Sequence, residues 1–465
     1  MPIGDVILKY QDEMLADLQA LIAIRSVAST PTDSCPFGEG PAAALQFILD
    51  RARSFGLDVE DVDGYAGHAQ ISSGSEIAGI LVHLDTVPEG EGWTFNPFLG
   101  KIHDGVMYGR GVSDNKGPAI SALYALRALK EAGIHMNKTL RVIFGTAEET
   151  SQQDMAYYFA RHPVPDLGFT PDVGPAIYYA EMGIFTLQLV RTYDTSDPSP
   201  IVSIQSGLVA NMVPDRCICE LRLDRLSQGV IDRLEQRAKQ SGQPYEINMS
   251  SKLLHLVTMG KSAHGSVPQF GVNAIIQMIE VLRELIEDSS YPRSAMHQSL
   301  QFIDTVIGNE HNGHSLGIAC QDEVTGALIV NMGKFHLNAQ QCVITLNIRY
   351  PATMDKSFVI QGLEHIAPLH QFHLSHIHHM PPVYVATDHP LIDKLSRAHY
   401  AIIGEYPALV TTAGGTYAKW LNNQGVGYGG VWTEVHAHQA DERMRIDEWI
   451  QLSRMITQAA YEISQ

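Results

Sequence analysis

Imidazole and carboxylate side chains follow apolar runs in this sequence, and His83 and Asp85, in the motif HLDTVP, form the first such pair. The run before them predicts a buried strand, and ligands in open α/β sheets collect at the carboxyl ends of strands. An imidazole that binds a metal ion usually has its second nitrogen held by a carboxylate. Asp85 points to the same side of an extended chain as His83 and could hold that nitrogen. The pair is a candidate metal-binding element, with a surface hydrogen-bonded pair as the alternative.

Asp114 lies in a glycine-punctuated turn, GRGVSDNKGP (109–118), that opens a predicted helix. Glycine-rich turns can cradle phosphate groups, but this one has neither the GxGxxG nor the GxxxxGK[ST] spacing. We therefore interpret Asp114 as a carboxylate ligand held at a tight turn. A helix N-cap aspartate is the alternative.

Glu148 and Glu149 follow a predicted buried strand in the motif TAEET (146–150). Two adjacent carboxylates beside a buried strand are costly unless cations neutralise them. One of them could bind a metal ion while the other directs a water molecule as general base. A solvated acidic loop is the alternative.

Asp172 (in TPD, 170–172) and His438 (in HAHQADE, 436–442) complete the candidate ligand set. Each is a weak signal alone. Together with the motifs above they supply imidazole and carboxylate ligands without sulfur, which suits Zn²⁺ or Mn²⁺. Two such ions that share a bridging carboxylate form a hydrolytic centre.

The elements that would position these residues alternate between helix and strand. Apolar spacing predicts helices over 5–24, 41–55 and 117–132 and buried strands over Ala78–His83 and Leu140–Gly145. This order is typical of parallel sheets covered by helices. The predicted fold class is α/β, with a mixed, mostly parallel sheet and helices on both faces. A length of 465 residues exceeds what one core usually holds, so more than one domain is expected.

From about residue 185 the pattern becomes that of an inserted α+β domain. Its predicted strands are Phe185–Arg191, Val202–Ile204, Arg216–Asp224, Thr325–Met332 and Gln341–Tyr350, and its predicted helices are 229–240 and 272–287. The α/β pattern then resumes with helices at 389–403 and 446–463. We expect a catalytic domain in two parts, 1–184 and 382–465, around a lid domain at 185–381.

Eight motifs in order resemble those of one family: HLDTVP, GRGVSDNKGP, TAEET, GFTPD, SAHGSVPQFGVNA, NIRYP, TAGGTYA and HAHQADE. It is the co-catalytic dinuclear-zinc metallopeptidase family of aminoacylase, carboxypeptidase G, succinyl-diaminopimelate desuccinylase, peptidase T and carnosinase. The resemblance covers about residues 10–460 and is nearest to the PepV-type dipeptidases of bacteria. It implies a zinc-peptidase-like catalytic domain and a lid that is long enough for two similar halves.

The resemblance also implies roles for the residues of the catalytic domain. His83 and Asp172 would hold one metal ion, Glu149 and His438 the other, and Asp114 would bridge both. Asp85 would orient His83, and Glu148 would move a proton from the metal-bridging water to the leaving amine. A non-proline cis peptide bond between Asp114 and Asn115 is implied as well.

In the lid, His264 resembles a histidine that stabilises the oxyanion. Asn211 and Arg349 match positions that grip the substrate, and Gly414 and Gly415 match a loop whose amides approach its carboxylate. The sequence departs from the nearest branch at Asn115, where aspartate is usual, at Met182 in Glu-Met-Gly, and in the loop AGG, which is one glycine short. These departures concern substrate selectivity rather than the metal centre.

Three functions are compatible with these motifs. They are a dipeptidase for substrates with a free amino terminus, an N-acyl amino acid deacylase, and a metal-binding scaffold without catalysis. The intact ligand set with Glu148 disfavours the scaffold. An aspartate at position 172 and the long insert favour the dipeptidase. Two divalent ions are expected, Zn²⁺ before Mn²⁺, since the same nitrogen and oxygen ligands serve both.

Composition limits the partners and the cellular environment. A formal net charge of −19 argues against nucleic acid and anionic membranes as partners. The five cysteines lack CxxC spacing, and the amino terminus lacks a signal-peptide pattern, so a cytoplasmic protein is expected. Cys217 and Cys219 are predicted to be packed in a strand. The histidines between 365 and 379 are predicted to be a solvated strand face, with a metal reservoir as the alternative. We expect a catalytically self-sufficient monomer that acts on small peptides.

Overall fold

The computed structural model describes residues 1–193, 199–287 and 294–465. Its α-helices are α1 (Gln11–Ile22), α2 (Glu39–Ser54), α3 (Lys116–Glu131), α4 (Gln153–Phe159), α5 (Gln228–Gln240), α6 (Ala274–Glu287), α7 (Ala295–Phe302), α8 (Ser357–Leu369), α9 (Pro390–Ile403) and α10 (Ile446–Ser464). Its strands are β1 (Asp58–Val62), β2 (Ala66–Ile71), β3 (Ile77–His83), β4 (Lys101–His103), β5 (Val106–Tyr108), β6 (Thr139–Gly145), β7 (Leu167–Thr170), β8 (Ile177–Glu181), β9 (Gly183–Thr192), β10 (Ile201–Ser206), β11 (Arg216–Arg222), β12 (Tyr245–Met249), β13 (Leu253–Met259), β14 (Gln321–Asp322), β15 (Gly326–Ala327), β16 (Ile329–Leu337), β17 (Gln341–Tyr350), β18 (His373–Met380), β19 (Val383–Tyr384), β20 (Leu409–Thr412), β21 (Gly425–Tyr428) and β22 (Arg443–Arg445).

The chain divides into two compact units. The first unit comprises Met1–Glu181 and Val383–Gln465, and the second unit comprises Met182–Pro382. Each has its own hydrophobic core. Within the described ranges, no helix combines the length and the apolar character needed to cross a membrane.

The first unit is built on a nine-stranded sheet in the order β1-β2-β6-β3-β7-β21-β8-β19, with β20 paired to β8. Strands β6, β3, β7 and β21 run parallel at its centre, and antiparallel pairs flank them. Every residue of β3 and β6 is buried, as expected for strands whose two faces are both covered by helices. The predicted α/β class with a mixed sheet is confirmed.

Helix α3 explains how one face of this sheet is covered. Its leucines and alanines between 119 and 129 are inaccessible to solvent, and a helix that is apolar all round is one buried on all sides. Helix α10 packs beside it against the same sheet, where Trp449 Nε1 donates to Gly117 O at 3.1 Å and the hydroxyls of Ser121 and Ser453 lie 2.8 Å apart. These contacts hold the first residues of α3 in place, directly after the turn that carries Asp114.

The second unit is an eight-stranded antiparallel sheet in the order β12-β13-β11-β10-β16-β17-β9-β18. Two hairpins, β10–β11 and β16–β17, are each followed by a helix and a returning strand. The halves join where β10 pairs with β16, with Ile204 opposite Leu337. The predicted antiparallel α+β insert is confirmed.

Several predicted helices and strands have different bounds in the structure. The helix predicted over 5–24 is a 3₁₀ helix over Ile3–Tyr10 followed by α1. The strand predicted over Thr325–Met332 is wrong at its start. Asp322 Oδ1 accepts hydrogen bonds from the amides of Val324, Thr325 and Gly326 and turns the chain there, so the long strand begins only at Ile329 and extends to Leu337.

Two interpretations of single residue types are supported by burial. Cys217 and Cys219 are buried on β11. His373, His376 and His378 are exposed on β18, which fits a solvated strand face.

Candidate metal centre

The ligand candidates of the first unit meet at one edge of the sheet because their strands are parallel neighbours. His83 ends β3, Glu148 and Glu149 follow β6, and Asp172 follows β7. Strands β6, β3 and β7 are adjacent and parallel, so their carboxyl ends lie at the same edge. Asp114, in the turn before α3, completes this part of the site.

His83, Asp114 and Asp172 form the first ligand group, whose ligand atoms all lie within 4.8 Å of one another. His83 Nε2 is 2.9 Å from Asp114 Oδ1 and 3.6 Å from Asp172 Oδ1. The imidazole of His83 is fully buried. Burial alone would lower the pKa of His83, but the charge of Asp172 and the hydrogen bond to Asp114 outweigh it and raise that pKa well above its ordinary value.

Asp114, Glu149 and His438 form the second ligand group. His438 Nε2 lies 3.0 Å from Asp114 Oδ2 and 3.0 Å from Glu149 Oε1. Asp114 therefore belongs to both groups, with one oxygen in each. His438 is on a loop in which His436, His438 and Asp441 have positive φ, a conformation that is uncommon for residues with a side chain and that collects at functional sites.

Burial of several carboxylates together shifts their pKa values. Burial and the charge of Asp114 raise the pKa of Glu149 to about 7. Burial and the charge of Asp172 raise the pKa of Glu148 well above its ordinary range. Hydrogen bonds to Asp114 and Glu149 raise the pKa of His438 to about 11. The site therefore favours positive charge at its centre.

The donor set fits two divalent cations. Imidazole nitrogens and carboxylate oxygens suit Zn²⁺ or Mn²⁺ better than Mg²⁺ or Ca²⁺, which prefer oxygen alone. Two cations would neutralise the carboxylates of Asp114, Glu148, Glu149 and Asp172. A carboxylate with one oxygen in each ligand group has the arrangement of a bridging ligand.

Asp85 contacts residues of both ligand groups. The carbonyl oxygen of Asp85 accepts a hydrogen bond from His83 Nδ1 at 3.0 Å, which leaves Nε2 with its lone pair towards the centre. The carboxylate of Asp85 is 3.5 Å from Nδ1, and its two oxygens accept hydrogen bonds from the amides of Glu148 and Glu149, each at 3.1 Å. Asp85 thus contacts His83 mainly through its backbone and holds the TAEET loop with its side chain.

Three side chains that support the centre were not identified from the sequence. The first is Gln152, whose Nε2 donates to Glu148 Oε1 at 2.6 Å and whose Oε1 accepts from Trp420 Nε1 at 2.9 Å. This relay fixes the carboxylate of Glu148. Gln152 also has a left-handed backbone with φ of 51°.

The second is Glu442, which is fully buried. Its Oε1 accepts hydrogen bonds from Ser113 N and Oγ and from Asp114 N, and its Oε2 accepts from Gly111 N and Arg110 Nη1, at 2.8–3.2 Å. A single carboxylate therefore satisfies most of the turn that carries Asp114. It also ties this turn to the segment that carries His438.

The third is Asn115. The peptide bond between Asp114 and Asn115 is cis, which confirms that prediction. The amide Nδ2 of Asn115 donates to Asp172 Oδ1 and to Pro171 O, both at 2.9 Å. An ionised aspartate has no hydrogen to donate, so the departure at this position gives Asp172 a supporting contact.

The loop that carries Gly414 and Gly415 is anchored by buried side chains. Glu181 accepts hydrogen bonds from Thr416 N and Oγ1 and lies 3.5 Å from Lys419 Nζ. Tyr417 follows, donates a hydrogen bond to Asp154, and presents its ring edge-on to His83 at 6.3 Å between centroids. The glycine loop is thereby connected to the metal centre within the first unit.

A cavity of about 560 Å³ opens beside Asp114 and Asp172. Its wall includes the apolar side chains of Val431, Trp432 and Met444. Clefts of this size bind small molecules, with apolar walls and a few polar groups that fix orientation. The cavity therefore combines room for a side chain with the ligand carboxylates.

The predicted lid residues belong to the second unit, where Asn211 and His264 lie on paired segments. Met212 and His264 form an antiparallel bridge, and Gly265 N donates to Asn211 O at 2.6 Å. Ser266 N donates to His264 Nδ1 at 3.3 Å, and Ser266 Oγ lies 2.6 Å from the same nitrogen; a neutral ring that accepts at Nδ1 has its proton on Nε2. His264 is thereby set to donate from Nε2.

Arg349 is buried on β17, with Nε donating to Asn347 Oδ1 at 3.2 Å. Burial lowers the pKa of Arg349 to about 10. Asn347 is opposite Asn331 in the sheet, and Asn331 donates to the carbonyls on either side of Asn211. Strand pairing, the contacts of Asn347 and Asn331, and the backbone bridge at Met212 and His264 thus connect the three lid residues within the second unit.

The three supporting residues left little trace in the sequence. Glu442 lies in the motif HAHQADE, but nothing in the sequence distinguishes it from its neighbours, and its contacts reach back about 330 positions. Gln152 lies just beyond the TAEET motif. The interpretation that the departures concern substrate selectivity rather than the metal centre does not hold for Asn115, because it donates to the ligand candidate Asp172, which is 57 positions away.

Comparison with known proteins gives one family. The sequence model of peptidase family M20/M25/M40 matches residues 79–462. The Bacillus subtilis protein named "Putative dipeptidase YtjP" is 31% identical over 466 residues, which cover 98% of this chain and 98% of that protein. A Staphylococcus epidermidis protein named "Putative dipeptidase" is 30% identical with the same coverage.

Solved structures of similar fold include two peptidases. One is the M20 family metallo-carboxypeptidase Sso-CP2 from Sulfolobus solfataricus, with a TM-score of 0.61 and 16% identity over 97% of this chain and 99% of that one. The other is human carnosine dipeptidase 1, with a TM-score of 0.58 and 14% identity over 100% and 98%. At these identities the likeness establishes the fold.

We predict that Glu442→Gln keeps every ligand but weakens metal binding by about 10–100-fold, the usual effect of a lost supporting contact. The glutamine amide would turn its own N–H groups towards N–H donors, and Arg110 would lose its buried counter-charge. Breaking one side of a buried ion pair costs about 3–5 kcal/mol in the free energy of unfolding. Chelator competition measures the affinity, and urea unfolding measures the stability.

Asp447→Asn is the matched control, because Asp447 is an exposed acidic residue of the same chain segment. We expect it to change the free energy of unfolding by less than about 0.5 kcal/mol. If the two variants bind metal and unfold alike, the contacts of Glu442 do not hold the turn.

Proposed function

The chain belongs to the M20/M25/M40 peptidase family, and from that premise we propose that it is a two-metal dipeptidase for substrates with a free amino terminus. The observation that carries the proposal is the pair of ligand groups that share Asp114, with Glu148 next to the ligand Glu149. The names of the relatives at 30–31% identity support dipeptides as the substrate class. The apolar cavity beside Asp172 is consistent with a small substrate.

In this proposal His83 and Asp172 hold one metal ion, Glu149 and His438 hold the other, and Asp114 bridges them. Zn²⁺ is the expected ion and Mn²⁺ the alternative. When bound, the ions would polarise the scissile carbonyl and lower the pKa of a water molecule between them. Asn115, Asp85 and Glu442 keep the ligands in position.

Glu148 is proposed to accept a proton from the attacking water and to deliver it to the leaving amine. Its carboxylate is held by Gln152 rather than by a ligand contact, which leaves an oxygen for proton transfer. A carboxylate in hydrogen-bond reach of the water contributes about 10²–10⁴-fold to the rate.

The second unit is proposed to supply the groups that recognise the substrate. His264 would donate from Nε2 to the developing oxyanion, a contact typically worth about 2.7–4 kcal/mol in the transition state. Asn211 and Arg349 would bind the substrate carboxylate, and the Gly414–Gly415 loop of the first unit would do so as well. The low-lying pKa of Arg349 still leaves its guanidinium charged near neutral pH.

We predict that Glu148→Gln keeps both metal ions and lowers kcat by about 10²–10⁴-fold, because only proton transfer is removed. The neighbouring Glu149→Gln should instead lose metal, since Glu149 is a ligand. Metal content by mass spectrometry and steady-state kinetics test both variants. Near-normal turnover of Glu148→Gln, or its loss of metal, would contradict the role of Glu148.

We predict that dipeptides are hydrolysed much faster than tripeptides or N-acetyl amino acids. Clamping the amine and the carboxylate fixes their separation, which positions the carbonyl and lowers the entropic part of the barrier. A tripeptide would leave a charged end unpaired or displace its carbonyl, and a buried unpaired charge is costly. Comparing kcat/KM over matched alanine substrates tests this. Equal kcat/KM for N-acetylalanine would point to a deacylase instead.

We further propose that one chain is sufficient for catalysis. The two halves of the sheet in the second unit support this, because a single chain then carries a lid of double length without a second subunit. Specific activity should be constant on dilution, with a monomer in sedimentation velocity. Activity that falls with dilution as a dimer dissociates would refute it.

A further inference from the structure

A second set of metal-ligating side chains lies on the edge of the first unit and shares no residue with the centre described above. Glu60 is on edge strand β1, His68 is on β2, and His162 follows α4. Glu60 and His68 are direct partners in the antiparallel ladder, so both side chains project from the same face of the sheet. The fold therefore fixes this pair independently of any ligand.

The three ligand atoms are close enough to share one ion. They all lie within 4.8 Å of one another. Glu60 Oε1 is 3.2 Å from His162 Nε2, and Glu60 Oε2 is 3.9 Å from His68 Nε2. Bonds of about 2.0–2.2 Å to a tetrahedral Zn²⁺ separate neighbouring ligand atoms by roughly 3.3–3.6 Å. Only small side-chain movements would complete this geometry.

The second nitrogen of His68 already has the contact that a ligand imidazole needs. The hydroxyl of Tyr158 lies 3.0 Å from His68 Nδ1, and Arg141 donates to that hydroxyl at 3.3 Å. In the tautomer that donates Nδ1–H to the tyrosine oxygen, Nε2 offers its lone pair towards Glu60 and His162. Glu60 Oε2, at 3.9 Å, is beyond hydrogen-bond distance of that nitrogen.

The rings and the solvent exposure also suit a bound ion. The ring of His162 stacks on Tyr158 with centroids 4.7 Å apart and meets His68 edge-on at 5.3 Å. His68 is 4% exposed, whereas the side chain of Glu60 is 52% exposed. Burial lowers the pKa of His68 to about 3, so its ring is neutral and able to bind a metal near neutral pH. An ion could enter from the Glu60 side.

We propose that Glu60, His68 and His162 form an additional divalent-metal site, of the class that Zn²⁺ occupies, which fastens edge strand β1 to β2 and to the end of α4. Two imidazoles and one carboxylate leave a fourth position for water, and this mixture of nitrogen and oxygen disfavours Mg²⁺ and Ca²⁺. The positive charge of Arg141 opposes the ion. The affinity of this site for a divalent ion is therefore lower than that of the centre formed by the two ligand groups that share Asp114, the shared-aspartate centre. The site does not depend on the proposed peptidase function.

The test is the amount of Zn²⁺ bound by the full-length protein after dialysis against buffered Zn²⁺. We expect His162→Gln and Glu60→Gln each to bind one equivalent fewer than the wild type, with unchanged activity on dipeptides. His103→Gln is the matched control, an exposed histidine on β4 of the same unit, and should bind as the wild type does. Zn²⁺ should also raise the unfolding temperature of the wild type more than that of the two ligand variants.

Three results would overturn the proposal. Equal Zn²⁺ content in the wild type and in both ligand variants would mean that these residues bind no ion. Loss of the extra equivalent in a variant with His376→Gln and His378→Gln would place it on the exposed histidines of β18 instead. An equal loss in His103→Gln would indicate non-specific binding to surface imidazole. Because each comparison is with the wild type, failure of the two-metal function would appear separately, as absent activity.

Discussion

The organisation of the first unit follows from the burial of several carboxylates at one edge of a parallel sheet. Asp114, Glu148, Glu149 and Asp172 converge where β6, β3 and β7 end, and burial raises the pKa of three of them. Such a cluster is stable only if positive charge and hydrogen-bond donors surround it. The imidazoles of the ligand groups supply part of this charge. The other positive charges and hydrogen-bond donors must come from backbone and side-chain groups that face the site.

Other buried carboxylates hold the loops that bear the ligands. Asp85 accepts the amides of Glu148 and Glu149, and Asp154 accepts the amides of Thr146 and Ala147. Glu442 does the same for the Asp114 turn. Backbone amides donate to these anchors, so the conformation of the loops is fixed by contacts within the protein. Rigid support of this kind positions ligands more accurately than a flexible loop could.

Local patterns were enough to predict the central strands, the α/β class and the family, because apolar runs and short motifs are local in sequence. β17 was predicted with its observed bounds, Gln341–Tyr350, since a long apolar strand has little ambiguity. The supporting contacts of Glu442, Gln152 and Asn115 could not be predicted, because a single carboxylate or amide has no periodicity and its partner is far along the chain. The proposed site at Glu60, His68 and His162 could not be predicted for the same reason. Glu60 and His68 become neighbours only through strand pairing, and His162 joins them only through the position of α4.

Protons and metal ions compete for the same atoms at the shared-aspartate centre. A carboxyl group whose pKa is raised by folding, such as Glu149 at about 7, stabilises the fold in its protonated form below its ordinary value, and this stabilisation is lost as the pH rises through about 7. His438 behaves in the same direction between its ordinary value of 6.5 and about 11. Near neutral pH, therefore, Glu149 loses its proton and the negative charge of the centre increases, whereas His438 keeps its proton until the pH approaches about 11. Divalent cations bound at the centre would take the places of these protons, so that metal binding would release protons and add its free energy to folding. The carboxylates that would destabilise the metal-free protein most are thus those that would bind the ions most strongly.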